Sequence, residues 1–490
     1  MNEALRKFKA QLAGKFSTYD ASVRQTADAT FFMARSQSAK HLIVMGKKGV
    51  CALFEGEKIG TIDQLDVLAC PLNGHNCERL MELLVSLKPS ICDKKLSFGF
   101  GDRIGVATAA HAQIVNKDEV FPVFAQQSVR EITRTERSWR EVLSSAVWGV
   151  FESGYDGAFG ADADHVKKIE DLESAARVGY TMFTIDPSDH VKDPTKYDRK
   201  ELVNFFQEHP ARREIASKYI GKSFTVLDEK LSFDEDSFAE IFTTYISAIE
   251  HVESCYKALR AVCSRGFDLE VSIDETSLPT TPLAHIFFVQ ELRRRGVDFQ
   301  TLALRFPGEW QKGIDYIGDT DQFSKELEKH VAIVKMLAGY KLSLHSGSDK
   351  FSVYPALAEK TERTVHVKTA GTSYLEAIRT VAKFSPDLYR EIHKFALSRF
   401  EQDRASYHVT TNLSKVPNVD EVSDSNLSDL LDQPDVRQVI HITYGSVLTA
   451  KESGKTLFKD RIMKVLFEHE KEHYNFLKSH LGKHLKLLGV

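Results

Sequence analysis

Leu269-Glu270-Val271-Ser272-Ile273 runs straight into Asp274-Glu275, Thr301-Leu302-Ala303-Leu304 into Arg305 and then Pro307-Gly308-Glu309, and Leu342-Ser343-Leu344 into His345-Ser346-Gly347-Ser348. A fourth run, Thr364-Val365-His366-Val367, ends in Lys368. Short apolar runs that finish in titratable residues, separated by amphipathic segments of helix length, are the pattern of a parallel β/α barrel, whose chemistry sits at the C-terminal ends of its strands. Working outward, the same pattern gives eight candidate strands, at 96–101, 121–125, 157–162, 180–185, 268–273, 300–305, 341–345 and 364–368. Eight strands close a TIM-type barrel. The expected fold class is α/β: a TIM-like (β/α)8 barrel with an N-terminal α/β addition, a helical insertion and a helical C-terminal tail.

The additions follow from what the barrel leaves over. Residues 1–95 read as an N-terminal α/β layer, with a helix around 3–14 and two β-rich runs, 41–45 and 50–54, that a Gly-bounded turn would fold into a hairpin. Residues 96–410 form the barrel domain, interrupted between the fourth and fifth strands by roughly 80 residues. That segment, 186–267, has helical apolar spacing (Leu202, Phe205, Phe206; Phe238, Ile241, Phe242, Tyr245) and reads as a helical lid or oligomer surface. Residues 411–490 form a helical extension. Its histidines, His469, His473, His480 and His484, fall at helical spacing among Lys and Glu and are expected on a solvated face.

Composition narrows the class of function. The 490 residues are 42% hydrophobic, and 65 Lys+Arg against 69 Asp+Glu leave a formal charge of -4. That balance offers no footprint for nucleic acid or an anionic membrane. The charged start of the chain and the absence of a bilayer-length apolar run point to the cytoplasm, and six cysteines without a Cys-x-x-Cys pair suit reduced thiols.

The chemistry-bearing residues cluster at strand ends. Gly160-Ala-Asp-Ala-Asp-His165 opens a run of small residues onto carboxylate and imidazole; helix capping is the competing role for Asp164. His345 precedes a Gly turn. With His165 and a carboxylate it would make a site for Zn, Mn, Fe, Co or Ni, and Glu309 is the preferred carboxylate against an alternative place at a helix start. His366, two residues before its strand end, belongs deeper in the barrel. Glu275 is chosen as a general acid or base facing Asp164, since paired carboxylates can separate their pKa values. Asp102, Arg103, Arg305, Ser346, Lys350 and Lys368 are candidates for binding a substrate carboxylate or phosphate. Asp186-Pro-Ser-Asp-His190 is a weaker second cluster, explicable as turn chemistry.

Phe98-Gly-Phe-Gly-Asp-Arg-Ile-Gly105, Gly160-Ala-Asp-Ala-Asp-His165, Ser272-Ile-Asp-Glu-Thr276, Arg305-Phe-Pro-Gly-Glu309, Leu344-His-Ser-Gly-Ser-Asp-Lys350 and Val367-Lys-Thr-Ala-Gly-Thr372, in that order, resemble the tagaturonate/fructuronate epimerase family over roughly residues 90–410. The resemblance implies a divalent-metal barrel enzyme acting on a small sugar acid in hexuronate catabolism. It implies Asp164 as proton acceptor, Glu275 as proton donor, and His165, Glu309 and His345 as metal ligands. The two uronates differ one carbon beyond the acidic position beside the ketone, so reversible carbon–carbon cleavage or carbonyl migration is expected. A metal-dependent ketose isomerase or aldolase on the same barrel, and a non-catalytic sugar-binding barrel, are the alternatives.

Overall fold

The computed structural model describes residues 2–12 and 14–490. Its centre is a closed parallel barrel of eight strands: β6 (Leu96–Phe100), β7 (Val120–Ser128), β8 (Gly160–Val166) and β9 (Met182–Ile185), then β12 (Asp268–Ser272), β13 (Thr301–Ala303), β14 (Lys341–Leu344) and β15 (Val365–Thr369), which pairs back onto β6. The expected (β/α)8 architecture is present. Six strands lie within two residues of the expected positions, and β7 runs three residues past its expected end. The eighth, β8, starts three residues later than expected, and this matters for the site. Asp162, Ala163 and Asp164 pair with Gln126, Gln127 and Ser128 of β7, so Ala163 and Asp164 lie inside the strand rather than following it. A helix cap at Asp164 is thereby removed, because the next helix begins only at Ile169.

Ahead of the barrel, β1 (Ser17–Gln25), β2 (Ala29–Arg35), β3 (Lys40–Gly46), β4 (Glu57–Ile62) and β5 (Leu65–Pro71) form an antiparallel sheet in the order β1-β2-β3-β5-β4. The expected hairpin of 41–45 with 50–54 does not form. Lys48–Cys51 is a helical turn, and β3 pairs with β2 and β5 instead. Burial explains it: Cys51 and Phe54, three apart, are buried while Ala52 is exposed, which is helical rather than alternating spacing. The first helix, Glu3–Gln11, is shorter than expected; Ala13, inside the expected span, lies outside the described residues.

The segment 186–267 is less uniformly helical than expected. It holds helices Arg199–Glu208 and Arg212–Tyr219, then a hairpin of β10 (Ser223–Val226) with β11 (Glu229–Ser232), and finally the long helix Glu235–Val262. The buried residues Ile249, Val252, Cys255 and Leu259 of that helix pack into the barrel's core, so its second half is an ordinary barrel helix and not inserted material.

The tail contradicts the expectation of a solvated histidine face. His473 and His484 are 2% and 0% exposed, and His469 stacks on Phe384 at 4.0 Å. Helix Glu470–Leu487 turns His473, Leu477, Leu481, His484 and Leu485 inward as one stripe, so the surrounding Lys and Glu occupy the other faces. All six cysteines are free, and among the described residues no helix is long and apolar enough to cross a membrane.

Candidate active site

The C-terminal ends of β7, β8, β12 and β14 surround a cavity of about 290 Å³ lined by Gln126, Asp164, His165, Glu275 and His345 among others. Strand alternation supplies its floor. Asp162 and Asp164, Glu270 of β12 and Lys368 of β15 turn into the barrel, where Lys368 Nζ lies 2.7 Å from Asp162, 2.8 Å from Asp164 and 3.1 Å from Glu270. One cation faces three buried carboxylates. The floor therefore carries excess negative charge beneath the cavity.

His165 departs from the strand. Its φ of +49°, a left-handed conformation rare outside glycine, coincides with the break in β8–β9 register between Ala163 and Val166. Such a bulge redirects a side chain, and here it brings the His165 ring to a centroid distance of 4.0 Å from His345. Each imidazole has one nitrogen anchored from behind: His165 Nδ1 is 3.2 Å from Asp186 Oδ2, and His345 Nδ1 is 3.1 Å from Glu270 Oε1. That leaves both Nε2 atoms forward, 3.9 Å from Glu275 Oε1 and 3.4 Å from Asp164 Oδ1 respectively. Carboxylates behind imidazoles that present the other nitrogen are the outer shell of many metal–histidine sites.

The electrostatics agree. Burial disfavours a charge on His165, yet Asp164, Asp186 and Glu275 outweigh it and raise its pKa to about 10. A field that binds a proton this firmly also favours a cation between the rings. Burial works against ionisation of Asp164 too, but Lys368, His345 and His165 hold its carboxyl far below the usual range. Glu275 is lowered as well, burial being overcome chiefly by His165 and Lys312. Ligand atoms of Asp164, His165 and His345 lie within 4.8 Å of one another, as do those of His165, Asp186 and Glu275. These two imidazoles and surrounding carboxylates fit a divalent ion.

Not every expected residue comes to this place. Glu309 is 43% exposed and pairs with His408 Nε2 at 2.7 Å, outside both clusters. Asp102 points away, its carboxylate accepting from the amides of Ile104, Gly105 and Ala107. Arg305 bonds the Gly308 carbonyl at the rim. Arg103 lines the cavity but is paired to Glu131 at 2.7 Å and stacked on Tyr444. Ser346 and Lys350 also line it; the three protons of Lys350 reach the carbonyls of Gln311, Ile314 and Ser348, and burial draws its pKa down to about 7. Lys368 lies in the floor, engaged with carboxylates. His366 is buried below, 2.8 Å from Ser97 Oγ, as its position in the strand implies.

Other lining groups were not singled out from sequence. Arg130 and Lys312 have no carboxylate within 3.5 Å among the described residues; Arg130 reaches Glu275 only at 3.8 Å and Lys312 touches Ser346 Oγ at 3.4 Å. Gln126 is 1% exposed with neither amide atom partnered. It directly follows the apolar run Val120–Ala125, one residue past the expected end of β7. Glu270 is legible as a polar residue inside a buried strand, whereas Gln126 becomes one only because β7 runs on to Ser128. Arg130 and Lys312 lie in polar surroundings and carry no such mark.

The chain matches the family model described as tagaturonate epimerase over residues 19–488. It is 47% identical over 484 residues to the tagaturonate/fructuronate epimerase of Thermotoga maritima, covering 99% of both chains. Among solved structures, the native form of fructuronate-tagaturonate epimerase UxaE from Cohnella laeviribosi superposes with a TM-score of 0.93 at 38% identity over 99% of each chain, and a form of that enzyme carrying one glycerol matches equally well.

Proposed function

The chain belongs to the tagaturonate epimerase family, and from that premise we propose that it interconverts D-tagaturonate and D-fructuronate with the help of a divalent cation and a pair of carboxylates. The observation that carries the proposal is the pair of forward-facing Nε2 atoms on His165 and His345, flanked by Asp164 on one side and Glu275 on the other. The imidazoles would hold the ion, with Asp164 or Glu275 in reach. Glu309 joins them only by giving up His408. When bound, the ion would act as a Lewis acid toward the ketone and its neighbouring hydroxyl.

The protein groups account for the rest. The epimerised carbon lies beyond the acidic position, so its configuration changes most simply if the bond between it and the carbon beside the ketone breaks and re-forms. Asp164, ionised in the floor, takes the proton from the hydroxyl on the epimerised carbon. That carbon becomes an aldehyde, and the bonding pair leaves with the ketone half as an enolate. The aldehyde turns its other face, the pair returns to it, and Glu275, ionised at rest, relays a proton from solvent at the cavity's lip to the new alkoxide. The turnover leaves a proton on Asp164 and none on Glu275, which is 34% exposed and draws each proton from solvent; Asp164 gives its proton up to solvent through the cavity once the product has left, which resets the pair. Arg130 and Lys312, cations without a close carboxylate, would hold the substrate carboxylate, which stays on the aldehyde half and keeps that fragment from escaping. Gln126 would meet a hydroxyl.

Turnover of 13C-labelled tagaturonate in the presence of an aldehyde-trapping hydrazine tests the route. A captured three-carbon aldehyde acid is expected. Solvent deuterium at the carbon beside the ketone with no captured fragment would replace cleavage by carbonyl migration.

A further inference from the structure

The cavity's β14 loop is held from outside the barrel. Asp349, in the loop that carries Ser346, Ser348 and Lys350 into the cavity, has φ +62° although it is not a glycine. Aspartate enters that conformation more readily than most residues, and here its surroundings hold it there. Its backbone N–H donates to His484 Nε2 at 3.0 Å, and His484 Nδ1 is 3.0 Å from the His480 carbonyl. The Asp349 carboxylate meets His480 Nε2 at 2.5 Å and Arg437 Nη2 at 2.9 Å. Arg437 continues to the carbonyls of Gly313 and Leu431, and His480 Nδ1 lies 3.4 Å from Glu376. Asp349, His480 and His484 also have ligand atoms within 4.8 Å of one another. Both His484 nitrogens are already bonded to backbone, however, so a metal would have to displace them. The cluster is a tie.

We infer that His480 and His484 of helix Glu470–Leu487, acting through Asp349, are positioning residues that set the cavity face of the 346–350 loop. They touch neither the cavity nor its imidazoles. Their effect passes along four residues: fixing Asp349 fixes the Ser348 carbonyl and Lys350, and Lys350 in turn pins Gln311 and Ile314 beside Lys312. Two of the loops that would grip the substrate thus share one anchor in the tail.

His480 is 18% exposed, so added imidazole can reach the hole left by its removal. The test compares wild type, His480→Ala with and without imidazole, and Asp349→Asn, in which Asn tolerates the left-handed backbone while losing the charge. For both variants KM for tagaturonate should rise at least tenfold and kcat change less than threefold. Imidazole should return most of the KM of His480→Ala and leave Asp349→Asn unchanged. Amide exchange across 346–350 should accelerate in His480→Ala and slow again with imidazole. KM within twofold of wild type in both variants, or KM and kcat falling away together with the melting temperature and no response to imidazole, would overturn the inference. The kinetic arm rests on the proposed substrate. The exchange arm does not: unchanged protection across 346–350 refutes the tie whatever the enzyme turns over, and an inactive wild type refutes the substrate alone.

Discussion

Asp164 and Glu275 are both carboxylates beside one imidazole, and the different work proposed for them suits their different surroundings. Asp164 is 2% exposed and locked to Lys368, whereas Glu275 stands at the lip in contact with water. Removing either ability to exchange protons should lower kcat by about 10²–10⁴, the usual span for a general acid or base, in Asp164→Asn and Glu275→Gln alike. Steady-state kinetics check this, and a loss confined to KM would reassign the residue to binding. Lys312 should behave in the opposite way. A charge-assisted hydrogen bond is worth about 1.5–3 kcal/mol, so Lys312→Met should raise KM for the uronate by roughly 10- to 100-fold while leaving kcat nearly unchanged, and should not affect binding of a neutral ketohexose. The residues behind these roles were unequally visible. His165, His345 and Asp164 stood out because titratable groups follow small or apolar runs. Glu270 and Asp186, which orient the imidazoles, are recognisable only once the register places them behind the rings.

Barrel strands were legible because each is a short apolar run bounded by polar turns, and their number alone implied closure. What failed was register. Gly157 and Ala158 read as strand by composition, yet pairing begins at Gly160, and the three-residue shift moves Asp164 from beyond the expected strand end into the barrel interior, beside Asp162. The false hairpin at 50–54 has the same origin: five residues are too few to separate alternating from helical spacing. At the far end of the barrel, Asp268 of β12 offers a measurable consequence of strand burial. Burial raises its pKa to about 6, with the Cys92 amide and Lys341 only partly opposing. Its folded pKa lies above the unfolded value of 3.8, so the protonated form is favoured by folding and the associated stability is lost as pH rises from about 4 through 6. Asp268→Asn escapes this loss. Its stability relative to wild type should therefore climb across that window, by on the order of 2–3 kcal/mol in total, measured by urea unfolding at a series of pH values. A flat difference would mean that Asp268 remains ionised without penalty.

At the scale of the molecule, the additions to the barrel are structural partners of the site. Lys40 of the N-terminal sheet bonds Glu152 at 2.6 Å and Tyr474 of the last helix at 3.1 Å, and Tyr19 reaches Glu470 at 2.8 Å, so sheet, barrel and tail meet in one partly buried network. His441 and Tyr407 from beyond the barrel line the cavity itself. The tail's inward face was hidden in the sequence because histidine is neither clearly apolar nor clearly charged, and its Lys and Glu neighbours dominate any average over the helix. The central claim, that this assembly interconverts two hexuronates at a metal-dependent site, is tested most directly by NMR of D-tagaturonate incubated with the purified protein, before and after chelation and with Mn²⁺, Zn²⁺ or Ni²⁺ restored. D-fructuronate should form, cease to form with the chelator and return with at least one metal. Conversion that survives complete metal removal would contradict the role given to His165 and His345, and an unchanged sugar under every metal would contradict the assigned reaction.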